Sequence, residues 1–162
     1  MDTEGARMNI EAVGPQERTP ELVGQLAQVW ERSVRATHAF LSEDDIVGLR
    51  PEVAAGLAGI EHLAVAWEDG VAVGFAGVQD GHLEMLFVDA AARGKGAGRV
   101  LLAYAIEQWD ARTLDVNEQN PQAAGFYEHL GFVVTGRSPV DDAGRPFPLL
   151  HMRLERTGEA GR

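Results

Sequence analysis

The sequence predicts a mixed α+β domain, and three observations carry that expectation. Leu63–Trp67 and Val71–Val78 alternate large and small apolar residues, and Glu68-Asp69-Gly70 between them reads as a hairpin turn. A second turn, Gln79-Asp80-Gly81, leads into a third apolar run, Leu83–Val88, broken only by Glu84. Glycines at 94, 96 and 98 then open a helix, with Leu101, Leu102, Ala105, Ile106 and Trp109 at helical spacing.

The flanking elements follow the same rules. Met1–Arg7 is polar and expected to be loose; Met8–Val13 is a first strand, stopped by Gly14-Pro15. Thr19-Pro20-Glu21 has the chemistry of a helix start, and Leu22, Leu26, Val29, Trp30 and Val34 form one stripe running to about Ala36. Ser42 followed by Glu43, Asp44 and Asp45 starts a second helix, in which Pro51 predicts a kink or a division. Beyond the central helix come a strand at Thr113–Val116 and a helix at Pro121–Leu130, closed by Gly131 as a left-handed cap. Phe132–Gly136 is a strand. Asp141–Gly144 with Pro146 is a tight turn, and Phe147–Leu154 is the last strand. Thr157–Arg162 reads as a frayed tail. The expectation is one domain over 1–162, with its core at about 8–154.

Composition excludes several classes. Fourteen basic against twenty-five acidic residues leave a net charge of −11, the wrong sign for a nucleic-acid binder. An anionic ligand must therefore meet a local positive feature, and Arg93, Lys95 and Arg99 supply the dense one. No apolar run approaches the roughly 18–20 residues of a membrane span, and the first residues, with Asp2 and Glu4, do not resemble a signal peptide. The absence of cysteine excludes disulfides, thiolate zinc sites and cysteine nucleophiles, and suits a cytoplasmic location. His38, His62, His82, His129 and His151 show no helical pairing, so no metal is expected. No Gly-x-Ser-x-Gly elbow surrounds Ser33, Ser42 or Ser138.

The glycine-rich turn carries the chemistry. The first N–H groups of a helix lack partners and attract anions, and glycines let a phosphate approach them. The predicted ligand is a pyrophosphate. A Walker loop is excluded, because Lys95 is followed by Gly96 rather than Ser or Thr; the Gly-x-Gly-x-x-Gly dinucleotide pattern fails as well. Arg93-x-x-Gly96-x-Gly98 resembles the pyrophosphate loop of the GNAT acyltransferases. Asn117–Phe132, with Asn120-Pro121, Phe126-Tyr127 and Gly131-Phe132, resembles that family's second signature. Together with the strand meander, the resemblance covers Met8–Leu154.

The resemblance implies a GNAT-like three-layer fold. Its sheet would be mixed, mostly antiparallel, of six to seven strands, splayed between the fourth and fifth and flanked by helices. Acetyl-coenzyme A would lie in the splay. The strand segment Leu86, Phe87 and Val88 would bind the pantetheine arm, through the N–H groups of Phe87 and Val88. Arg93, Gly94, Lys95, Gly96, Ala97, Gly98 and Arg99 would bind the pyrophosphate, and Asn120 the pantetheine region. Tyr127 matches the position of the general acid, which protonates the leaving thiolate. Glu84 is the leading base, a lone acid in an apolar strand where burial would raise its pKa; His82 on the same strand face and His38 are the alternatives. A strand N–H near Val88 would stabilise the developing oxyanion.

The first helices would grip the acceptor, which places Trp30, Ser33, His38 and His82 on the substrate side, with Thr37 and Phe40 nearby. An N-acetyltransferase acting on a small-molecule amine is the first reading, and one acting on a protein lysine or N-terminus is the alternative. A coenzyme A-binding module without turnover is a third, against which intact Asn120 and Tyr127 argue. No membrane or nucleic-acid partner is expected, and free sheet edges leave room for a homodimer.

Overall fold

The computed structural model describes residues 8–155; the expectations for 1–7 and 157–162 lie outside that range. Two compact units divide at Ala111/Arg112. Among the described residues no helix is long and apolar enough to cross a membrane.

The first unit holds β1 (Met8–Ala12), α1 (Pro20–Thr37), α2 (Glu43–Gly59), β2 (His62–Glu68), β3 (Val71–Gln79), β4 (His82–Val88) and α3 (Ala97–Trp109). Its strands lie in the order β1-β2-β3-β4, each antiparallel to its neighbour. Asp69 and Gly70, and again Asp80 and Gly81, have positive φ, the left-handed pair that a tight two-residue hairpin demands. Leu26, Val29, Trp30 and Val34 of α1 and Ile46 and Leu57 of α2 pack with Leu63, Val65 and Phe75 in one apolar cluster. On the other side of the sheet, His62 stacks on Trp109 of α3 at 4.9 Å. That packing is close enough to need Gly74, where a Cβ would come within 3.0 Å of the Phe87 carbonyl and 3.1 Å of Leu101.

Of the two outcomes expected at Pro51, division does not occur: the proline lies inside one continuous α2. The helix is held at several points that offset the lost backbone hydrogen bond. The Ser42 hydroxyl accepts from Asp45 N–H at 3.0 Å, and the Asp45 carboxylate accepts from Ser42 N–H at 2.9 Å. Arg50 donates twice to Glu31 of α1 at 2.8 Å, and Arg35 bridges Glu31 and Glu43. Those guanidiniums, Arg50 first, hold the Glu31 carboxyl down at about 2. At the far end, Arg18 donates to the carbonyls of Leu57, Ala58 and Ile60, which closes the last turn.

The second unit holds β5 (Thr113–Asn117), α4 (Pro121–His129), β6 (Phe132–Ser138) and β7 (Leu149–Leu154). Its strands lie β5-β7-β6, both pairs antiparallel. Gly131 takes φ 103° after α4, as its capping role requires. β7 starts two residues later than predicted, because Pro148 has no N–H to give a ladder.

Candidate active site

β4 carries one irregularity that shapes a cavity. Gly77 pairs with Met85 and Val78 pairs with Leu83, so Glu84 is an extra residue in the register. Such a bulge interrupts the alternation of side chains. Glu84 and Met85, though adjacent, therefore line the same cavity of about 560 Å³, together with Phe87. Trp30 of α1, Leu49, Glu52 and Val53 of α2, and Gln79 of β3 complete its walls. Glu84 is exposed, which corrects the expectation that this acid is buried. Glu52 went unnoticed in the sequence, since an acid on a helix gives no local signal of facing a cavity.

The other substrate-side residues divide. Trp30 is only 4% exposed and serves both core and cavity. Ser33 is buried and does not line the cavity; its carbonyl accepts the Thr37 hydroxyl at 2.8 Å. His38 follows the end of α1, with Nδ1 at 2.7 Å from the Thr37 hydroxyl and its ring 5.2 Å from Phe40. Burial, helped by the charge of Arg93, pushes the imidazole down to about 4. It is thus neutral at pH 7 and a weak base. His82 is register-paired with Gln79 but does not line the cavity.

The donor side starts at Asp89, the residue after β4. Its Oδ1 accepts from Ala91 N–H at 3.1 Å and fixes a short 3₁₀ turn, Ala90–Ala92. Its Oδ2 receives Arg32 of α1, at 2.9 Å from Nε and 2.6 Å from Nη2. The hydrogen bond from Arg32 holds Asp89 below the usual carboxylate range. Gly94 and Gly96 then take φ +85°, and a Cβ at either would meet nothing within 4 Å. Gly96 caps α3 without a side-chain bond, and the first helical bond runs from Val100 N–H to the Gly96 carbonyl. The N–H groups of Ala97, Gly98 and Arg99 therefore have no acceptor within the helix. Arg93 and Arg99 are exposed beside them, while Lys95 sits 3.5 Å from Glu68. Open space, orphan donors and local cations fit a pyrophosphate.

One backbone expectation changes. Asp89 N–H donates to the Val73 carbonyl at 2.8 Å. Donors on a strand alternate in direction, so Phe87 N–H is also turned toward β3, where Phe87 pairs with Phe75. Leu86 and Val88 direct their N–H groups to the opposite edge. Phe87 N–H is thus taken up by β3, against the expectation that it meets a pantetheine arm, while Val88 N–H is directed away from β3.

In the second unit, Asn120 is buried at the start of α4, and its Oδ1 accepts from Ala123 N–H at 3.3 Å. That leaves the carboxamide NH₂ to meet a ligand. Tyr127 is 9% exposed, packed edge-on against Phe126 and Phe132. Burial pushes its phenol well above its ordinary value, so it stays protonated.

A strand that runs into an anion cradle, beside a cavity walled by carboxylates and aromatics, fits a transferase that draws on a phosphate-bearing donor. The family model described as an acetyltransferase (GNAT) domain matches residues 26–156. The chain belongs to the GNAT family. Its relatives include the peptidyl-lysine N-acetyltransferase YjaB of Escherichia coli K12, 44% identical over 79% of this chain and 87% of that protein. The solution structure of apo-form YjaB from E. coli matches with a TM-score of 0.78 at 41% identity, covering 90% of this chain and 96% of the other. A PaiA N-acetyltransferase from Thermoplasma acidophilum, in complex with coenzyme A, shares the fold at 18% identity, with a TM-score of 0.66 over 91% of this chain and 99% of its own. The protein is an N-acetyltransferase of α+β fold that uses acetyl-coenzyme A.

Proposed function

We propose that the chain, as a single catalytic domain in the cytoplasm, acetylates the side-chain amine of lysine in a protein or peptide. The observation that carries this reading is the lining of the cavity. Trp30, Leu49, Val53, Met85 and Phe87 offer apolar walls to an aliphatic stem, and Glu84 offers a carboxylate to the ammonium at its tip. The name of the E. coli relative supports the same acceptor. Glu52 as a second carboxylate favours one other reading, a small amine with two positive charges.

The reaction asks three things of the residues. Acetyl-coenzyme A supplies a thioester whose acyl carbon takes the new bond to nitrogen. Glu84 accepts the ammonium proton, directly or through water, because only the neutral amine is a nucleophile. Val88 N–H, turned away from β3, is a donor for the acyl oxygen as charge develops there. Tyr127 holds a proton that its raised pKa keeps in place until carbon–sulfur cleavage makes the sulfur basic.

The test is thiol release with acetyl-coenzyme A against a panel of lysine peptides, polyamines and amino acids, with the acetylated atom located by mass spectrometry. Turnover of lysine peptides with acetyl on Nζ is expected. Turnover confined to small amines would sink the lysine reading and leave the second one standing.

A further inference from the structure

The second unit carries a constellation that acetyl transfer does not use. Asp115 on β5, His151 on β7 and Ser138 on β6 come from three adjacent strands. Asp115 is paired in register with His151, and His151 with Gly136, two residues before Ser138. Residues two apart share a face, so all three side chains stand on one side of the sheet. His151 Nδ1 lies 2.5 Å from Asp115 Oδ1, and His151 Nε2 lies 2.7 Å from the Ser138 hydroxyl.

The chemistry fixes the proton positions. A carboxylate only accepts, so Nδ1 carries the hydrogen donated to Asp115. In the neutral ring Nε2 is then the acceptor, and Ser138 donates its hydroxyl proton to it. This is the relay that turns a serine into a nucleophile: a base in hydrogen-bond reach, oriented by a third group. The histidine and the acid are partly exposed, which leaves the hydroxyl within reach of small molecules. Gly136 opposite His151 adds no side chain over the ring, and a Cβ there would stand 3.6 Å from Cδ2. The Leu154 N–H bond to the Arg112 carbonyl sets the alternation on β7, and through it that on β6. Arg137 N–H is thereby directed away from β7, beside Ser138, as a donor for an oxyanion.

We propose that Ser138, His151 and Asp115 form a second acyl site, which cleaves small activated esters independently of acetyl transfer. The Ser138 oxygen bonds to the acyl carbon while its proton passes to His151 Nε2. The carbon–oxygen bond to the leaving alcohol breaks, and that oxygen takes the proton from His151. Water then adds to the acyl carbon and gives a proton to His151. Ser138 leaves with that proton restored, and a carboxylic acid is released. The relay is invisible to a motif search because its members come from separate strands and no elbow surrounds the serine.

The full-length protein is treated with a biotinylated fluorophosphonate, and separately with p-nitrophenyl acetate; thermal melts confirm that each variant is folded. The expected result is a phosphonyl adduct on Ser138, absent from Ser138→Ala. Labelling should slow roughly 10²-fold in His151→Gln, the low end of general-base catalysis. Ester turnover should fall to background in Ser138→Ala. An adduct absent from Ser138 overturns the proposal. So does a labelling rate untouched by His151→Gln, or ester turnover equal in wild type and Ser138→Ala.

Discussion

The acid proposed as the base in the first unit is solvent-exposed, and the phenol proposed as the acid in the second is buried. Glu84 is exposed at a bulge on the cavity wall, whereas Tyr127 lies 9% exposed in an aromatic pack at the heart of α4. The contrast fits the two halves of a proton circuit. A group that accepts a proton at each turnover must hand it on to water, so exposure serves it. A group that must not lose its proton early is served by desolvation, which penalises the phenolate. In the proposed reaction, placement more than residue type separates the two roles.

The largest effect that tests this contrast belongs to Tyr127→Phe. It removes the donor and leaves the ring, so transfer should slow roughly 10²–10⁴-fold with acetyl-coenzyme A affinity unchanged, read by single-turnover thiol release and calorimetry. A wild-type rate would strip the phenol of its role. Next comes Glu84→Gln, with an expected loss of roughly 10²-fold at pH 7. Because the acceptor amine loses its own proton near pH about 10.4, the deficit should shrink as pH rises toward that value. A deficit constant with pH would mean that Glu84 positions the substrate and takes no proton.

Two smaller effects test the frame around both groups. Gly96→Ala has space for its methyl but not the backbone, since φ is +85°. The strain should cost roughly 1–2 kcal/mol, or about 2–8 °C in Tm for a chain this size, and weaken acetyl-coenzyme A binding. An unchanged Tm would show that the turn relaxes freely. His38 should impose a pH dependence on stability. Its folded pKa, about 4, lies below the ordinary 6.5, so the unfolded chain takes up the proton first as pH falls. Stability from this group is complete above pH about 6.5 and declines toward pH about 4, by at most roughly 3 kcal/mol. His38→Gln should flatten melting curves compared across that window; an unaltered slope would place the titration elsewhere.

Much of this was legible in the sequence, for physical reasons. Asp-Gly pairs at 69–70 and 80–81 demand positive φ and mark both hairpins, and Thr19 and Ser42 announce their helices by side-chain oxygens that cap nothing else. The glycines at 94 and 96 signal the anion cradle in the same way. What stayed hidden depends on contacts between distant residues. Pro51 signalled a kink or a division, and the division is avoided in a helix cross-linked to α1 through Glu31. Arg32, which tethers Asp89, lies 57 positions away from it and matches no local pattern. The cluster of Asp115, Ser138 and His151 exists only after three strands pair.

The bulge at Glu84 reaches beyond its own side chain. Counting outward from it, Met85 and Phe87 face the cavity, while Leu83 pairs with Val78, itself paired with His62 on the Trp109 side. The two halves of β4 thus obey opposite parity. Deleting Glu84 alone would restore strict alternation along β4 and leave Leu83 and Met85 on the faces they now hold, so the cavity would lose the carboxylate and keep its apolar walls. The carboxylate at the cavity wall is, in this sense, an insertion of one residue into an otherwise ordinary strand.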